Sequence, residues 1–385
     1  MKNYFLFSGL LFCLCVNAQI VNIPDANFKS QLLAANFNNT IAADANGLSM
    51  TIDVNNNNEI EVSEALEVYN LYVNNSNISS LIGIEAFSNL EALECFNNQL
   101  TNLNLSSLTN LILLDCNTNQ LSNLNLTGLA LLEYMTCQDN ALQNLNLSGL
   151  NNLKGLECGG NQLTSLNLAG LNLEALVCEV NQIQSLDLSQ QTNLQILQCD
   201  SNQLSTLNLT GLNQINYLIC NSNLFTTLDV SNLSLLDTFV FNSNPNLTSV
   251  NLKNGSIESF VEFDDNPSLV GLCADAGQIM QIQDLVTQYN FTNCTVSSDC
   301  SLKSNTFVTA DSILIHPNPV NSVLNFELSN DASIYSVAVF NNIGQVVLKS
   351  SNSKGTLDVS SLKTGNYWIR INSDKGITNT RFIKL

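Results

Sequence analysis

The chain has 385 residues, of which 32 are Asp or Glu and 12 are Lys or Arg, giving a formal net charge of −20. Residues 30–302 hold 26 of the acidic residues but only two basic ones, Lys154 and Lys253, which excludes a nucleic-acid or anionic-membrane partner because both need clustered positive charge. The single histidine is His316, so Ser/His/Asp triads and histidine-ligated zinc sites are excluded from the preceding residues.

Residues 1–18 have the features of a secretory signal peptide. Lys2 precedes an apolar run from Tyr4 to Val16, and Val16-Asn-Ala18 ends in small residues before Gln19. A basic start, a short apolar run and a small-residue cleavage site are typical of such leaders. The run is too short for a good membrane span, and no other segment reaches that length. We therefore expect export through the periplasm to the outside of the cell and no membrane span.

Residues 19–66 are predicted to form an N-terminal cap, within which a 12-residue segment resembles an EF-hand or dockerin-type calcium loop. In such loops the oxygen ligands stand at positions 1, 3, 5, 7, 9 and 12. These positions are held here by Asp53, Asn55, Asn57, the carbonyl of Glu59, Glu61 and Glu64. Asn58 replaces the usual glycine at the turn, and two amides replace carboxylates. The resemblance implies a structural Ca²⁺ ion, and the alternative is a polar capping loop without metal.

Regularly spaced cysteines and asparagines mark an internal repeat of 20 or 21 residues. A fixed period of this kind indicates stacked units that cannot bury their apolar faces alone. Apolar residues occupy every second position around each cysteine, which is typical of a short strand with one buried face. The cysteines are Cys95, Cys116, Cys137, Cys158, Cys178, Cys199 and Cys220, and the asparagines are Asn98, Asn119, Asn140, Asn161, Asn181, Asn202, Asn223 and Asn244.

The pattern L-x-x-L-x-C-x-x-N-x-L resembles the leucine-rich repeat family from about Val68 to Phe263. The resemblance implies a right-handed solenoid with a parallel β-sheet on its concave face and short turns or 3₁₀ segments on its convex face. We expect the repeats to cover residues 67–272. The cysteines are interpreted as small buried hydrophobic residues rather than disulfides or metal ligands, and the asparagine amides are expected to satisfy backbone groups where the chain turns.

Residues 273–300 are predicted to form a C-terminal cap with a helix between Ala276 and Tyr289. Three cysteines, Cys273, Cys294 and Cys300, stand in this segment, and a disulfide there would help to cover the apolar end of the solenoid. Sequence alone cannot choose the pair; we favour Cys273–Cys294. Residues 301–311 read as a linker.

Residues 312–385 differ in composition from the repeats and are predicted to be a separate domain. Three motifs follow in order: Ile315-His-Pro-Asn-Pro-Val320, Asn342-Ile-Gly344-Gln-Val346 and Leu362-Lys-Thr-Gly365-Asn-Tyr367. They resemble the type A C-terminal sorting domain of the type IX secretion system. The resemblance implies a small Ig-like β-sandwich, a partnership with the type IX machinery of a Bacteroidota-type bacterium, and a protein attached to the outer cell surface or released.

The repeat also predicts which side chains line the concave sheet, from Ala92 and Glu94 to Thr238 and Val240. This row is acidic in its N-terminal half and apolar or aromatic in its C-terminal half. Contiguous exposed apolar side chains are typical of a contact surface, although such residues also simply favour strands. We predict that the ligand contacts are Tyr134, Ile196, Tyr217, Ile219 and Val240.

The residue types favour binding over catalysis. Glu94, Asp115 and Glu157 share the concave face, as paired carboxylates do in glycoside hydrolases, but we expect an open sheet to offer no enclosure that would raise one carboxyl pKa. The sequence therefore predicts a non-enzymatic protein that binds a protein or glycan ligand, without a cofactor other than Ca²⁺. The alternative is a structural or adhesive surface component without a specific ligand.

Overall fold

A computed structural model describes residues 19–300, 314–327, 334–341, 345–350, 355–373 and 376–385. The predicted signal peptide, the predicted linker and the Asn342-Ile-Gly344 motif lie outside these residues. The chain divides into two compact units, Met1–Cys300 and Ser301–Leu385. Within the described residues, no helix has both the length and the apolar character needed to cross a bilayer.

Short strands build the first unit together with three helices. The helices are α1 (Ala26–Ala34), α2 (Val62–Ala65) and α3 (Ile279–Gln288). The strands are β1 (Ala42–Ala43), β2 (Asn70–Tyr72), β3 (Ala92–Glu94), β4 (Asn102–Asn104), β5 (Leu113–Asp115), β6 (Asn123–Asn125), β7 (Tyr134–Thr136), β8 (Gly155–Glu157), β9 (Ala175–Val177), β10 (Ile196–Gln198), β11 (Tyr217–Ile219), β12 (Thr227–Asp229), β13 (Thr238–Val240), β14 (Ser249–Asn251), β15 (Phe260–Glu262), β16 (Gly271–Cys273) and β17 (Thr295–Ser297).

One 11-stranded sheet, called here the long sheet, runs through all the repeats in the order β1-β2-β3-β5-β7-β8-β9-β10-β11-β13-β15. Its strands are parallel except for β1, which pairs antiparallel with β2. Equivalent residues of successive repeats lie opposite each other, as Leu197 does with Leu176 and Leu218. The middle residue of each repeat strand is buried. This in-register stack of parallel strands confirms the predicted leucine-rich repeat solenoid, whose long sheet forms the concave face.

The second half of each repeat forms extended backbone, part of which pairs into two shorter parallel sheets, β4-β6 and β12-β14-β16-β17. The central residues Leu103 and Leu124 of the first pair are buried while the asparagines beside them are largely exposed. This period of two matches a strand, and the segment is too short for a long helix. In the described part of this unit, 3₁₀ geometry is confined to Ile84–Ala86.

The cysteines of the repeat form a buried column beside the leucines. All seven are free and fully buried, and Cys116 Sγ donates to the carbonyl of Thr136 at 3.5 Å. Burial raises the pKa of the Cys137 and Cys178 thiols to about 12, so the reactive thiolate is scarce at neutral pH. The interpretation as small buried hydrophobic residues is confirmed. Phe241 and Phe263 extend the column, with stacked rings 5.3 Å apart.

The asparagines form a second buried column that hydrogen-bonds consecutive repeats. Asn202 shows the pattern: its Oδ1 accepts from Ile183 N at 2.9 Å, and its Nδ2 donates to the carbonyls of Cys178, Cys199 and Asp200 at 3.0–3.2 Å. Two of these four partners belong to the preceding repeat. Asn140, Asn161 and Asn181 make the same set of bonds. The predicted amide ladder is confirmed.

A left-handed residue precedes each ladder asparagine in the repeats from Asn98 to Asn266. The positions include Asn97, Asp139 and Gly160, and φ lies between +49° and +62° at all of them. Val180 occupies this position in its repeat with φ +50°, where a β-branched side chain is strained. The asparagine itself therefore supplies hydrogen bonds rather than the unusual backbone angle.

Each end of the solenoid is covered by a helix. At the N-terminal end, Asp25 caps α1 by accepting from the backbone N–H groups of Asn27 and Phe28, and Phe28 and Leu32 are buried. At the C-terminal end, α3 lies within the predicted cap helix and buries Ile282 and Val286. Both helices thus add apolar side chains to the core at the ends of the solenoid, where no further repeat is available to pack against.

The favoured disulfide Cys273–Cys294 is wrong: Cys273 is bonded to Cys300. β16 and β17 pair in parallel with Cys273 opposite Ser297. Cys300 follows β17 and returns to within 5.3 Å of Cys273, measured between Cα atoms. Cys294 precedes β17, is half-buried and packs against the core, and burial raises its pKa to about 11.

The second unit consists of two antiparallel sheets around a core of their own. The first contains β18 (Leu314–His316), β19 (Val323–Glu327) and β22 (Thr356–Asp358). The second has the order β21 (Val346–Ser350), β20 (Ile334–Phe340), β23 (Gly365–Ser373) and β24 (Gly376–Lys384). Leu324 and Phe326 of the first sheet share one buried cluster with Val339, Ile369 and Phe382 of the second. This arrangement confirms the predicted small β-sandwich.

We predict that Asn202→Ala destabilises the chain by about 2 kcal/mol, because it leaves the buried N–H of Ile183 without a partner and removes one of the two hydrogen bonds that each of three turn carbonyls accepts. Asn213→Ala, at an exposed position of the same repeat, serves as the control and should change stability by less than about 0.5 kcal/mol. Urea unfolding of the two variants checks this, and equal midpoints would contradict the role of the ladder.

We also predict that Val180→Asn raises the melting temperature, because asparagine tolerates left-handed angles that cost a β-branched residue about 1 kcal/mol or more. The reverse change at the equivalent position, Gly160→Val, should lower it, since a Cβ there would approach the Asp139 backbone nitrogen to 3.1 Å. Calorimetry of both variants tests the pair. A melting temperature lowered by Val180→Asn would show that the strain is absent.

Candidate binding face

The register of the long sheet sorts its solvent-facing side chains into straight rows, called here the front face. One row contains Ala92, Leu113, Tyr134, Gly155, Ala175, Ile196, Tyr217, Thr238 and Phe260, and the next contains Glu94, Asp115, Thr136, Glu157, Val177, Gln198, Ile219, Val240 and Glu262. A third row is formed by the residues that follow the cysteines, such as Glu179 and Asp200. Because the strands alternate, leucines and cysteines lie below these rows in the core.

Exposed apolar side chains cluster in the C-terminal half of the front face. Ile196 is 39% exposed, while Tyr217 and Ile219 are half-buried side by side on adjoining rows. Tyr134 is 46% exposed but lies on β7, three strands away from β10, which carries Ile196. The structure therefore brings three of the five predicted contacts, Ile196, Tyr217 and Ile219, together on one surface. Together with Phe260 they are called here the apolar patch.

Two details of the apolar patch differ from the sequence-based expectation. Val240 lies in the row between Ile219 and Glu262 but is only 6% exposed. Phe260 was missed, although it is 50% exposed and lies opposite Thr238. The signal was present in the alternation Phe260-Val261-Glu262, but this repeat is one or two residues longer than those between β3 and β13.

An acidic cluster occupies the middle of the front face. Glu157, Glu179 and Asp200 come from three consecutive repeats, and Glu179 folds over Gly159, where a side chain would collide with its carboxylate. Glu179 Oε1 accepts from Gln138 Nε2 at 3.3 Å, whereas Glu179 Oε2 and Asp200 Oδ1 are buried without a hydrogen-bond partner. Gly159 thus makes room for a carboxylate of the next repeat, whereas Gly160 lies against Asp139 of the preceding repeat.

Partial burial raises the pKa of all three carboxyls of this cluster. For Glu157, desolvation is aided by the charge of Asp115. For Glu179, desolvation is aided by Asp200, Glu157 and Asp139, and for Asp200 desolvation is the main cause. The expectation that an open sheet cannot raise a carboxyl pKa is therefore wrong, because long side chains packed between adjacent rows shield one another from water.

The loop predicted to bind calcium closes on itself through its own polar groups. Asp53 accepts from the backbone N–H groups of Asn57 and Asn58, and the amides of Asn55 and Asn57 both donate to Glu61. The carboxylate of Glu64 accepts from Val54 N and Glu61 N. Asn58 has φ +63°, the left-handed angle that glycine usually supplies in such loops.

The donor chemistry suits Ca²⁺, but the geometry does not by itself form a cation site. Asp53, Asn55, Asn57, Glu61 and Glu64 converge in one oxygen-rich network, which is what a hard cation prefers. The side chain of Glu59 pairs with Lys29 at 2.7 Å and leaves only its carbonyl for the loop. Within the described residues, no group of three or more His, Cys, Asp or Glu side chains is arranged to hold a metal ion. Calcium binding stays a prediction.

The C-terminal unit matches a known family. Residues 314–385 match the family model described as "Secretion system C-terminal sorting domain". They are a type IX sorting domain. This domain makes the type IX secretion machinery a partner of the chain and directs the protein to the outer cell surface.

Several solved structures of leucine-rich repeat proteins are similar to the chain. The functional domain of InlJ from Listeria monocytogenes, described as including a cysteine ladder, has 19% identity and a TM-score of 0.36 over 96% of this chain and 99% of its own. Internalin C2 from the same species has 23% identity and a TM-score of 0.39 over 67% and 97% of the two chains. A search of curated proteins gave no match.

We predict that the melting temperature of the chain rises when the pH is lowered from about 7 to about 5. The raised pKa values mean that Glu157, Glu179 and Asp200 hold protons more tightly when folded, so their contribution to stability is lost as pH rises above the ordinary carboxyl range. The combined change Glu179→Gln and Asp200→Asn should raise the melting temperature at pH 7 and flatten this dependence. Glu91→Gln, outside the cluster, is the control. A pH profile that both variants leave unchanged would contradict the role of burial.

If the loop at residues 53–64 binds Ca²⁺, the ion raises the melting temperature relative to a chelator, and Glu64→Gln removes most of that difference. Glu67→Gln, exposed just beyond the loop, should keep it. For each variant, the quantity compared is the melting temperature with Ca²⁺ minus the melting temperature with chelator. The melting temperature alone is not sufficient, because Glu64 also accepts a backbone hydrogen bond that stabilises the loop without calcium. An equal melting temperature with and without Ca²⁺ in the parent chain would remove the hypothesis.

Proposed function

We propose that this secreted surface protein binds a protein or glycan ligand through its front face and catalyses no reaction. The observation that carries the proposal is the apolar patch, because Ile196 and Phe260 expose large hydrophobic side chains within two strands of Tyr217 and Ile219 on one rigid sheet. Aromatic and aliphatic side chains held by a rigid scaffold lose little conformational entropy on binding. The sorting domain supports exposure of this surface to other molecules outside the cell.

Charge narrows the class of ligand. The apolar patch is flanked by Glu157, Glu179 and Asp200 on one side and by Glu262 on the other. Such a field attracts cationic partners and speeds their association. A ligand with an apolar contact area and basic residues around it complements this surface best.

Binding of the purified full chain to a panel of host and bacterial surface proteins and glycans tests the proposal. We predict a saturable ligand whose affinity falls by about tenfold or more when Tyr217 and Ile219 are both changed to alanine, and whose binding weakens as salt is added. The control is Leu235→Ala, which removes a side chain that is 53% exposed outside the rows of the front face.

Two results would overturn the proposal. One is a ligand that the combined Tyr217→Ala and Ile219→Ala variant binds as tightly as the parent chain and the Leu235→Ala control do. The other is the absence of any saturable ligand together with self-association or indiscriminate adherence, which would instead indicate a structural component of the cell surface.

A further inference from the structure

The long sheet ends at β15, and the outer edge of β15 is not paired with any other strand in the part of the chain that the structure describes. Phe260 N donates to the carbonyl of Asp237, and the carbonyl of Glu262 accepts from Phe241 N, so both residues direct their backbone groups toward β13. Consecutive residues of a strand direct these groups to opposite edges. Val261 therefore directs its N–H and C=O outward, where a further strand could pair with them.

A groove with a volume of about 530 Å³ runs along this edge, between β15 and α3. The strand contributes residues 259–262, and the helix contributes Gln281, Asp284, Leu285 and Tyr289. The spacing of these helical residues by three and four places them on one side of α3. The free edge therefore faces a channel rather than a packed interface.

Contacts at both ends hold α3 at a fixed distance from β15. At the start of the helix, the fully buried Gln278 donates from Nε2 to Glu258 Oε2 at 2.5 Å, and Glu258 Oε1 accepts from Asn254 at 2.7 Å. At the end of the helix, the ring of Tyr289 packs edge-on against Phe263 with centroids 5.3 Å apart. The groove is therefore preformed, which reduces the entropy lost when a ligand enters it.

The walls of the groove define the chemistry of an occupant. Phe260, Leu285 and Tyr289 offer apolar surface, while Glu262 and Asp284 supply carboxylates and no Lys or Arg lines the groove. Burial together with the charges of Glu262 and Asp264 raises the pKa of Tyr289. A helical ligand could not use the free groups of Val261, because its own backbone groups are paired internally, whereas an extended peptide could.

We propose that the β15–α3 groove binds an extended segment of a partner protein, which pairs with Val261 as an added strand of the long sheet and places a Lys or Arg against Glu262 and Asp284. The added strand would lie beside Phe260 and so continue the front face. The N–H and C=O of Val261 take no part in the ligand binding proposed for the front face. Peptide binding in the groove and ligand binding at the apolar patch can therefore be tested separately.

The free chain provides the first test, by hydrogen exchange of individual amides in the full-length protein. The Val261 amide should exchange with the rapid rate of an unpaired group, whereas the equivalent amides of Leu218 and Phe239, which face a neighbouring strand, should be protected. A Val261 amide as protected as these two would overturn the proposal, because the edge would then already be occupied.

A displayed library of linear ten-residue peptides is the probe for the occupant. We predict selection of peptides that alternate apolar or β-branched residues with Lys or Arg, bind the full chain, and slow exchange at Val261. Only every second residue of a bound peptide directs its N–H toward β15. N-methylation of those residues should therefore abolish binding, whereas N-methylation of the residues between them should have little effect.

Variants of the chain locate the site. Val261→Pro removes the outward N–H while leaving the groups of Phe260 and Glu262 that pair with β13, and Asp284→Lys reverses a charge at an exposed helical position; each should weaken peptide binding at least tenfold. The combined Tyr217→Ala and Ile219→Ala variant should bind the peptides unchanged, which separates this groove from the apolar patch. Failure to select peptides, or selected peptides that are insensitive to Asp284→Lys and to N-methylation, would overturn the proposal.

Discussion

The hydrogen bonds of the buried asparagine ladder are the constraint on which the rest of the structure depends. Each amide satisfies the turn of its own repeat and part of the turn before it, as Asn202 does with Asp200 and Ile183. The bonds form only when successive turns stack at one fixed offset, so the repeat length cannot drift without leaving buried backbone N–H groups, such as that of Ile183, unpaired. The ladder tolerates a larger residue in place of the cysteine: at Phe241, the amide of Asn244 still bonds the turn at 3.0–3.4 Å.

This register turns a one-dimensional pattern into a two-dimensional surface. Because every strand begins at the same height, residues 20–22 apart become neighbours, and the acidic and apolar halves of the sequence become two regions of the front face. The same register creates the shared desolvation of Glu157, Glu179 and Asp200. The long sheet ends at β15, whose outer edge faces α3 and not the strand of another repeat.

The features that repeat in the sequence were predictable, because the same physical solution recurs in every unit. The solenoid, the buried cysteines and most of the front-face rows follow from the spacing of Leu, Cys and Asn. The features that depend on a single contact were not. The Cys273–Cys300 bond depends on how the chain turns after β17, the burial of Val240 depends on the side chains beside it, and the raised pKa of Glu179 depends on the space left by Gly159 in the preceding repeat. The longer last repeat likewise concealed Phe260.

The central claim is that ligands contact the front face at its apolar patch rather than other exposed apolar residues of the solenoid. Photo-crosslinking tests it most directly, with benzoylphenylalanine placed at Tyr217 in one version of the full chain and at Leu235 in another, and each version exposed to a ligand found in the binding panel. The account predicts a covalent adduct of defined mass at position 217 and none at position 235. Equal adducts at both positions, or an adduct only at position 235, would contradict it.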